Sequence, residues 1–302
     1  MDFVRSLRTF MRVAESGSFA LAAEQLETSG AAVSRQIAAL EEHLQARLLN
    51  RTTRKVSLTS SGQAFVEKAR HILQAIEEAE SFAGERPEAI SGVLRLAAPL
   101  SFGLAHLAPL LSGFRQRHPK LKLDVDLSDR TMDLTAHGFD LALRIAREPS
   151  PQLVARRIAP VRLALCASPG YLQARGTPTH PQELAQHETL SYSFLASGET
   201  WVFSDGQGDA VNVRISPSVS ATNGDVLRDL AVAGAGIVLQ PTFIVDGALA
   251  RGALVRLLPQ WQAPELHLYA VYLTQRQLSA KVRAFVDYLV ESLGEGPERA
   301  GP

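Results

Sequence analysis

Apolar residues recur at helical intervals through the first part of the chain and alternate in strand fashion beyond Gly92. The opening third reads as short helices over Phe3 to Ser16, Ser18 to Leu26 and Ser29 to about Leu44. In the third of these, Val33, Ile37, Leu40 and Leu44 form an apolar stripe, while Ser34, Arg35, Gln36 and Glu41 occupy the other faces. Ser29 suits an N-cap, Gly30 adds little bulk near the turn, and Ala22 and Ala23 permit close approach of a crossing helix. The pattern predicts a helix-turn-helix, with one helix bracing and the next presenting its polar face to a groove.

A longer helix is predicted from Ser61 to about Phe82, with Phe65, Ala69, Ile72, Leu73, Ile76 and Ala79 along one side. So narrow a stripe on so long a helix has little of its own domain to cover it. Pairing with a second copy is the expected solution, and packing against its own chain is the alternative. After the polar Gly84-Glu-Arg-Pro87, strands are predicted at Val93 to Ala97, Leu121 to Leu127, Asp140 to Ile145, Val161 to Ala167, Gly236 to Leu239 and Leu268 to Leu273. Helices are predicted at Gly103 to Arg117, Asp225 to Ala233 and Ser279 to Leu293. This is an α/β region, and its repeated switching suits two smaller lobes.

A length of 302 residues with 46% hydrophobic content allows two or three domains with true cores. Lys and Arg number 31, as do Asp and Glu, so no global field draws a polyanion. Nucleic-acid binding would have to be local, and the stretch Arg47 to Thr59 carries Arg47, Arg51, Arg54 and Lys55 with no acidic residue. That composition fits a two-stranded wing lying along phosphates. A single Cys excludes a disulfide scaffold and a multi-cysteine zinc site, so neither a metal nor another cofactor is expected. The absence of a signal-like N-terminus and of a long uncharged apolar run predicts a soluble, cytoplasmic protein that spans no membrane.

Phe19-Ala-Leu-Ala-Ala-Glu-Gln-Leu26, Ala32-Val-Ser-Arg-Gln-Ile37, Leu40-Glu41 and Arg51-Thr-Thr-Arg54, followed by Leu58-Thr59 and Gly62, together resemble the N-terminal region of LysR-type transcriptional regulators. The resemblance continues through Leu94-Arg-Leu-Ala97, Ser128-Asp129, Gly138-Phe-Asp-Leu-Ala142, Cys166-Ala-Ser-Pro169, Tyr171-Leu172 and Gly234-Ala-Gly-Ile237 with Pro241, reaching about residue 293. It implies an α/β protein overall: a helical winged helix-turn-helix at 1–60, a dimerising linker helix and hinge at 61–92, and an effector domain resembling periplasmic binding proteins at 93–302. Lobe I would comprise 93–160 and 269–293, lobe II 161–268, and a polar tail 294–302. Two positions depart from the pattern: Ser29-Gly30-Ala31 replaces the usual Ser-Gln-Pro or Ser-Gln-Ser, and Leu49 replaces a common Phe.

Within that resemblance, Arg35 reaches a guanine edge or a phosphate, Gln36 offers a paired donor and acceptor to adenine, and Ser29 and Ser34 suit the DNA backbone. Arg51, Thr52, Arg54 and Lys55 are assigned to the wing's contact with phosphates or the minor groove. Ser101, Phe102 and Gly103 open a helix whose amides suit a polar effector, with Thr222 and Asn223 facing them and Trp201 and Phe203 as walls. The implied partners are double-stranded DNA, a small-molecule effector, and further copies of the chain as a homodimer or homotetramer.

An enzyme and a non-exported small-molecule-binding protein are the alternatives. Eight His residues and Cys166 could supply bases or a nucleophile, but no spacing assembles a triad, and a freestanding binding protein leaves the N-terminal segment without a purpose. Deleting residues 1–60 should abolish retention of specific DNA by the full chain; equal retention would favour one of the alternatives.

Overall fold

Asp2 opens the first helix, α1 (Phe3–Ser16), its carboxylate accepting the Arg5 amide at 3.0 Å, and Gly17 closes it in the left-handed conformation. The computed structural model describes residues 1–51, 56–83, 90–130, 132–149, 151, 153–194, 198–205, 210–273 and 278–294. Two compact units result, one of Met1–Gly92 with Thr135–Gly138, the other of Val93–Leu134 with the chain from Phe139 onward.

In the first unit Ser18 caps α2 (Phe19–Gln25) and Ser29 caps α3 (Gly30–His43). A turn over residues 26–29 joins them. Its left-handed residue is Glu27, at φ 49°, and Gly30 is the first residue of α3, where an added Cβ would meet nothing within 4 Å. Strands β1 (Leu49–Arg51) and β2 (Val56–Leu58) pair antiparallel as a wing, and α4 (Ser60–Ala83) follows. Gly62 is required here, because a Cβ would run into the Leu48 carbonyl oxygen.

The core of this unit gathers Leu7, Phe10, Val13, Ala22, Val33, Ile37 and Leu40, all fully buried, with Leu49 filling its own position near them. Part of the α4 stripe packs on this core, as the own-chain alternative expects. Ala69 is fully buried, Phe65 lies 5.5 Å from Phe10 between ring centres, and Leu73 packs against the same cluster. Ile72, 38% exposed, points away from it, Ile76 is half-buried, and the Ala79 side chain lies outside the described residues. The helix finds cover because its first half lies across α1, with which it shares contacts.

The second unit is built on two five-stranded sheets. Lobe I contains β3 (Gly92–Ala98), β4 (Leu121–Leu127), β5 (Leu141–Ala146), β6 (Val154–Val161) and β14 (Leu266–Tyr272), in the order β4-β3-β5-β14-β6. Lobe II contains β7 (Leu163–Ala167), β8 (Thr189–Tyr192), β11 (Pro217–Ala221), β12 (Ile237–Pro241) and β13 (Val255–Arg256), ordered β11-β8-β12-β7-β13, with a separate hairpin of β9 (Thr200–Ser204) and β10 (Ala210–Arg214). The single strand expected at Val161 to Ala167 is in fact two. Val161 pairs with Leu266 in one sheet and Leu163 with Pro241 in the other, so Arg162 marks the crossing.

Helices α5 (Leu100–Phe102) and α6 (Ala108–Arg117) join through a π-helical turn over Gly103–Leu107; α7 (Leu134–His137) is grouped from Thr135 onward with the first unit, and α11 (Ala280–Leu293) completes lobe I. Lobe II carries α8 (Pro169–Arg175), α9 (Gly224–Val232) and α10 (Thr242–Ala250). Along β7, Leu165 and Ala167 enter one apolar cluster and Ala164 and Cys166 another, as alternation demands of a strand covered on both faces. In lobe I, α6 and α11 meet through Phe114 and Phe285, 5.0 Å apart between ring centres.

A buried ion pair ties α11 to the first strand of lobe I. The Lys281 ammonium donates to the Val93 carbonyl at 2.6 Å and lies 3.1 Å from Asp140 Oδ2, which also accepts the Arg95 amide at 2.8 Å. Both charged side chains are more than nine-tenths buried. Removing one partner strands the other in a dry site, so Lys281→Ala should cost about 3 kcal/mol, read from denaturant unfolding. An unchanged midpoint would show that the pair contributes nothing.

Candidate nucleic-acid interface and effector cleft

In the first unit, Glu41 links the recognition helix to the wing. Its Oε1 accepts the Leu48 and Leu49 amides at 2.8 and 3.1 Å, and Thr59 holds the other side, donating to the Arg47 carbonyl at 2.7 Å and accepting the Gly62 amide at 2.9 Å. Glu41, Thr59 and Gly62 thus share one structural task, although helical spacing alone reads Glu41 as a surface charge.

On α3, Ser29, Gly30, Ala31 and Arg35 are exposed, and Ser34 is half-buried. Gln36 is not wholly available to a base. Its amide lies 2.6 Å from Thr9 Oγ1, which is also 2.9 Å from the Arg5 carbonyl. Thr9 Oγ1 donates to Gln36 Oε1, so Gln36 braces α3 against α1. Of the wing residues assigned to DNA, Thr52, Arg54 and Lys55 lie outside the described residues, and Arg51 is described in its backbone only.

In the second unit, strands β3, β4 and β5 of lobe I and β8 and β11 of lobe II end near one gap, the position where open α/β sheets bind ligands. Asn223, after β11, divides its amide between two tasks. Oδ1 caps α9 by accepting the Asp225 and Val226 amides, while Nδ2 lies 3.4 Å from both Ser101 Oγ and Asp129 Oδ2 across the gap. Ser101 donates to Asp225 Oδ2 at 2.6 Å, and Asp225 Oδ1 accepts from Arg228 at 2.6 Å. Ser101 and Asn223, placed together by sequence reasoning, therefore meet directly.

The other expected cleft residues fall differently. Gly103 does not offer its amide to a ligand, since that N–H donates to the Pro99 carbonyl at 2.8 Å, and a Cβ there would collide with Leu127. Asp129 already accepts the Leu100 amide at 3.1 Å at the start of the helix. Phe102 is fully buried, its ring 6.0 Å from Phe243 of α10 and 5.7 Å from His106. Burial holds the His106 imidazole below its ordinary pKa, a neutral ring packed between aromatics. Trp201 and Phe203, expected as walls, are 2% and 1% exposed and belong to the lobe II core with Leu165, Tyr171 and Val213. Alternation along β9 turned both inward together. Thr222 is exposed beside Asn223.

Asp129 and Asp225 join the Ser101–Asn223 contact without having been expected in it, although Ser128-Asp129 directly after an alternating strand was an available signal. Cys166 is buried in the lobe II core, and burial pushes its thiol up to about 12, far from a thiolate nucleophile. A broad groove of about 680 Å³ lies on lobe II among Ser168, Tyr171, Arg175, Glu188 and Gly234. All of its lining residues are in lobe II.

A helix-turn-helix with a wing, followed by two α/β lobes that meet at the carboxyl ends of their strands, defines a DNA-binding protein with a ligand-binding domain. The family models concur: "Bacterial regulatory helix-turn-helix protein, lysR family" matches residues 4–63, and "LysR substrate binding domain" matches residues 87–294. The chain belongs to the LysR family of transcriptional regulators. It is 39% identical over 289 residues to the HTH-type transcriptional regulator CrgA of Neisseria meningitidis, covering 95% of this chain and 96% of that one. The solved CrgA structure matches with a TM-score of 0.59 at 38% identity, over 96% of this chain and 99% of that one. Full-length AphB of Vibrio cholerae, described as a virulence activator, matches with a TM-score of 0.60 at 29% identity, over 95% of this chain and 98% of that one. Among the described residues no helix is long and apolar enough to cross a membrane.

Glu41→Ala should leave two wing amides without their acceptor, costing about 1–3 kcal/mol in unfolding measurements. It should also weaken binding to specific and non-specific duplexes alike, because the wing loses its anchor. Loss confined to specific duplexes in binding isotherms would contradict that role.

Proposed function

We propose that this regulator binds double-stranded DNA through Ser29, Ser34 and Arg35 of α3, braced by Gln36, and through the wing residues Arg51, Thr52, Arg54 and Lys55. Residues 1–60 form the DNA-binding domain, 61–92 the linker and hinge, and 93–302 the effector domain. The chain works in the cytoplasm as a homodimer that assembles further into a tetramer. With Phe65, Ala69 and Leu73 turned inward, the linker meets its partner through Ile72, Ile76 and the positions beyond them. Several small basic wings held in register supply the affinity that a chain of zero net charge lacks elsewhere.

A small-molecule effector enters between the lobes at Ser101 and Asn223. The observation that carries this is the direct bridge from Ser101 to Asp225 and from Asn223 to Asp129. A ligand that joins or displaces those bonds changes the free energy of lobe closure, which is how binding biases one conformation over another.

In full-length protein, Arg35→Ala should weaken operator binding about tenfold or more while sedimentation stays unchanged. Arg51→Ala should weaken all duplexes and lower the salt slope by about one unit. An unchanged operator isotherm for the first variant, or an unchanged salt slope for the second, would overturn the assigned role.

A further inference from the structure

The π-helical turn over Gly103–Leu107 is wider than an α-helical one, and residues four apart stay on one side of it. Phe102 and His106 therefore stand together, their ring centres 5.7 Å apart. Facing them from the opposite lobe is Phe243 of α10, whose ring centre lies 5.5 Å from that of His106 at 82° and 6.0 Å from that of Phe102 at 79°. Both contacts are edge-to-face, so at this point the lobes meet through aromatic surface rather than through hydrogen bonds.

His106 is the polar member of this group. It is half-buried, and its Nε2 is shielded from solvent with no hydrogen-bond partner among the described residues. A neutral imidazole tolerates one unpaired nitrogen at modest cost. An imidazolium carries a proton on both nitrogens, and its Nε2–H would need an acceptor that two phenyl rings do not offer. Burial accordingly holds the ring below its ordinary pKa, and no neighbouring charge is among the causes. The charged groups on the surrounding elements have other tasks: Asp129 accepts the Leu100 amide, and Asp225 accepts from Ser101 and from Arg228. Asp246, three residues beyond Phe243 on α10, is exposed.

We propose that His106 and Phe243 form an acid-released latch between the lobes: a proton on His106 is accommodated only when Phe243 withdraws, so acidification favours the open arrangement. Linkage fixes the direction. A ring whose pKa is depressed in the closed state and ordinary in the open one binds its proton more tightly when open. The contact therefore supports closure fully at pH above the ordinary histidine range, and that support is lost as pH falls through the closed-state value. The latch rests on lobe movement of the kind the effector reading invokes, but it needs no effector and uses neither Ser101 nor Asn223.

Two measurements on the full chain test it. In the first, the imidazole carbon signals are followed against pH by NMR, the His106 signal being assigned by its loss in His106→Asn. Its midpoint should lie below the ordinary histidine value, and Phe243→Ala, on the other lobe, should move it up by letting water reach the ring. An unmoved midpoint, or the downward move expected if the phenyl face chiefly attracts the cation, would overturn the latch. In the second, spin labels on Gln116→Cys of α6 and Gln173→Cys of α8, exposed sites on the two lobes, report the interlobe distance, with labelled chain diluted into unlabelled chain. Lowering the pH from about 8 to about 5 should raise the open population at least about twofold when His106 is present. His106→Phe keeps a ring that cannot charge and His106→Asn keeps a polar group that cannot charge; both should lose the response, and the Asn variant decides if the Phe variant does not fold. No acid-induced opening in the wild type, or equal opening in a folded variant, would overturn the proposal. A wild type that shows no acid response but still retains operator DNA overturns the latch alone and leaves the regulator reading in place.

Discussion

The second unit depends on one topological constraint: the chain passes twice between two sheets, at Arg162 and again between β13 and β14, so the strand ends of both lobes face a common gap. Carboxyl ends of parallel strands lead into helix starts, and helix starts hold unpaired amides. Polar side chains must therefore collect there. Asp129 and Asn223 each serve a helix start within their own lobe, at Leu100 for one and at Asp225 and Val226 for the other, and each also takes part in a contact with the opposite lobe. Capping and lobe bridging are the same atoms at work, so a ligand that competes for one disturbs the other.

The first unit solves a different problem with similar economy. A three-helix domain with a short wing has little core, and it recruits the first half of α4 to enlarge it. That recruitment buries Ala69 and packs Phe65 and Leu73 against the same cluster. The short wing is held at its base by Glu41 and Thr59, through the Leu48 amide and the Arg47 carbonyl.

Much of this was legible in the residues. Helical period marked α1, α3, α6 and α11, and alternation marked β4, because each of these elements has one face in a core and one in water, and burial writes that difference into the sequence. Strands β8, β10 and β11 and helix α10 were not legible, being short or, like α10, apolar almost all round. Trp201 and Phe203 read as candidate walls for a related reason: aromatic residues suit a core and a ligand pocket equally well, and composition does not say which side of a strand meets the sheet.

The sequence by itself determined the order of domains, the local basic wing within a neutral chain, and the turn residues that cap the helices, since these depend on neighbours a few positions away. Only the tertiary structure decided that Gln36 bonds to Thr9 of α1, that Phe65 packs against Phe10, and that Asp225 meets a serine 124 residues distant. It also left the His106 Nε2 without a partner among the described residues. Burial and hydrogen-bond satisfaction are properties of what surrounds an atom, and those surroundings come from parts of the chain whose separation no local pattern encodes.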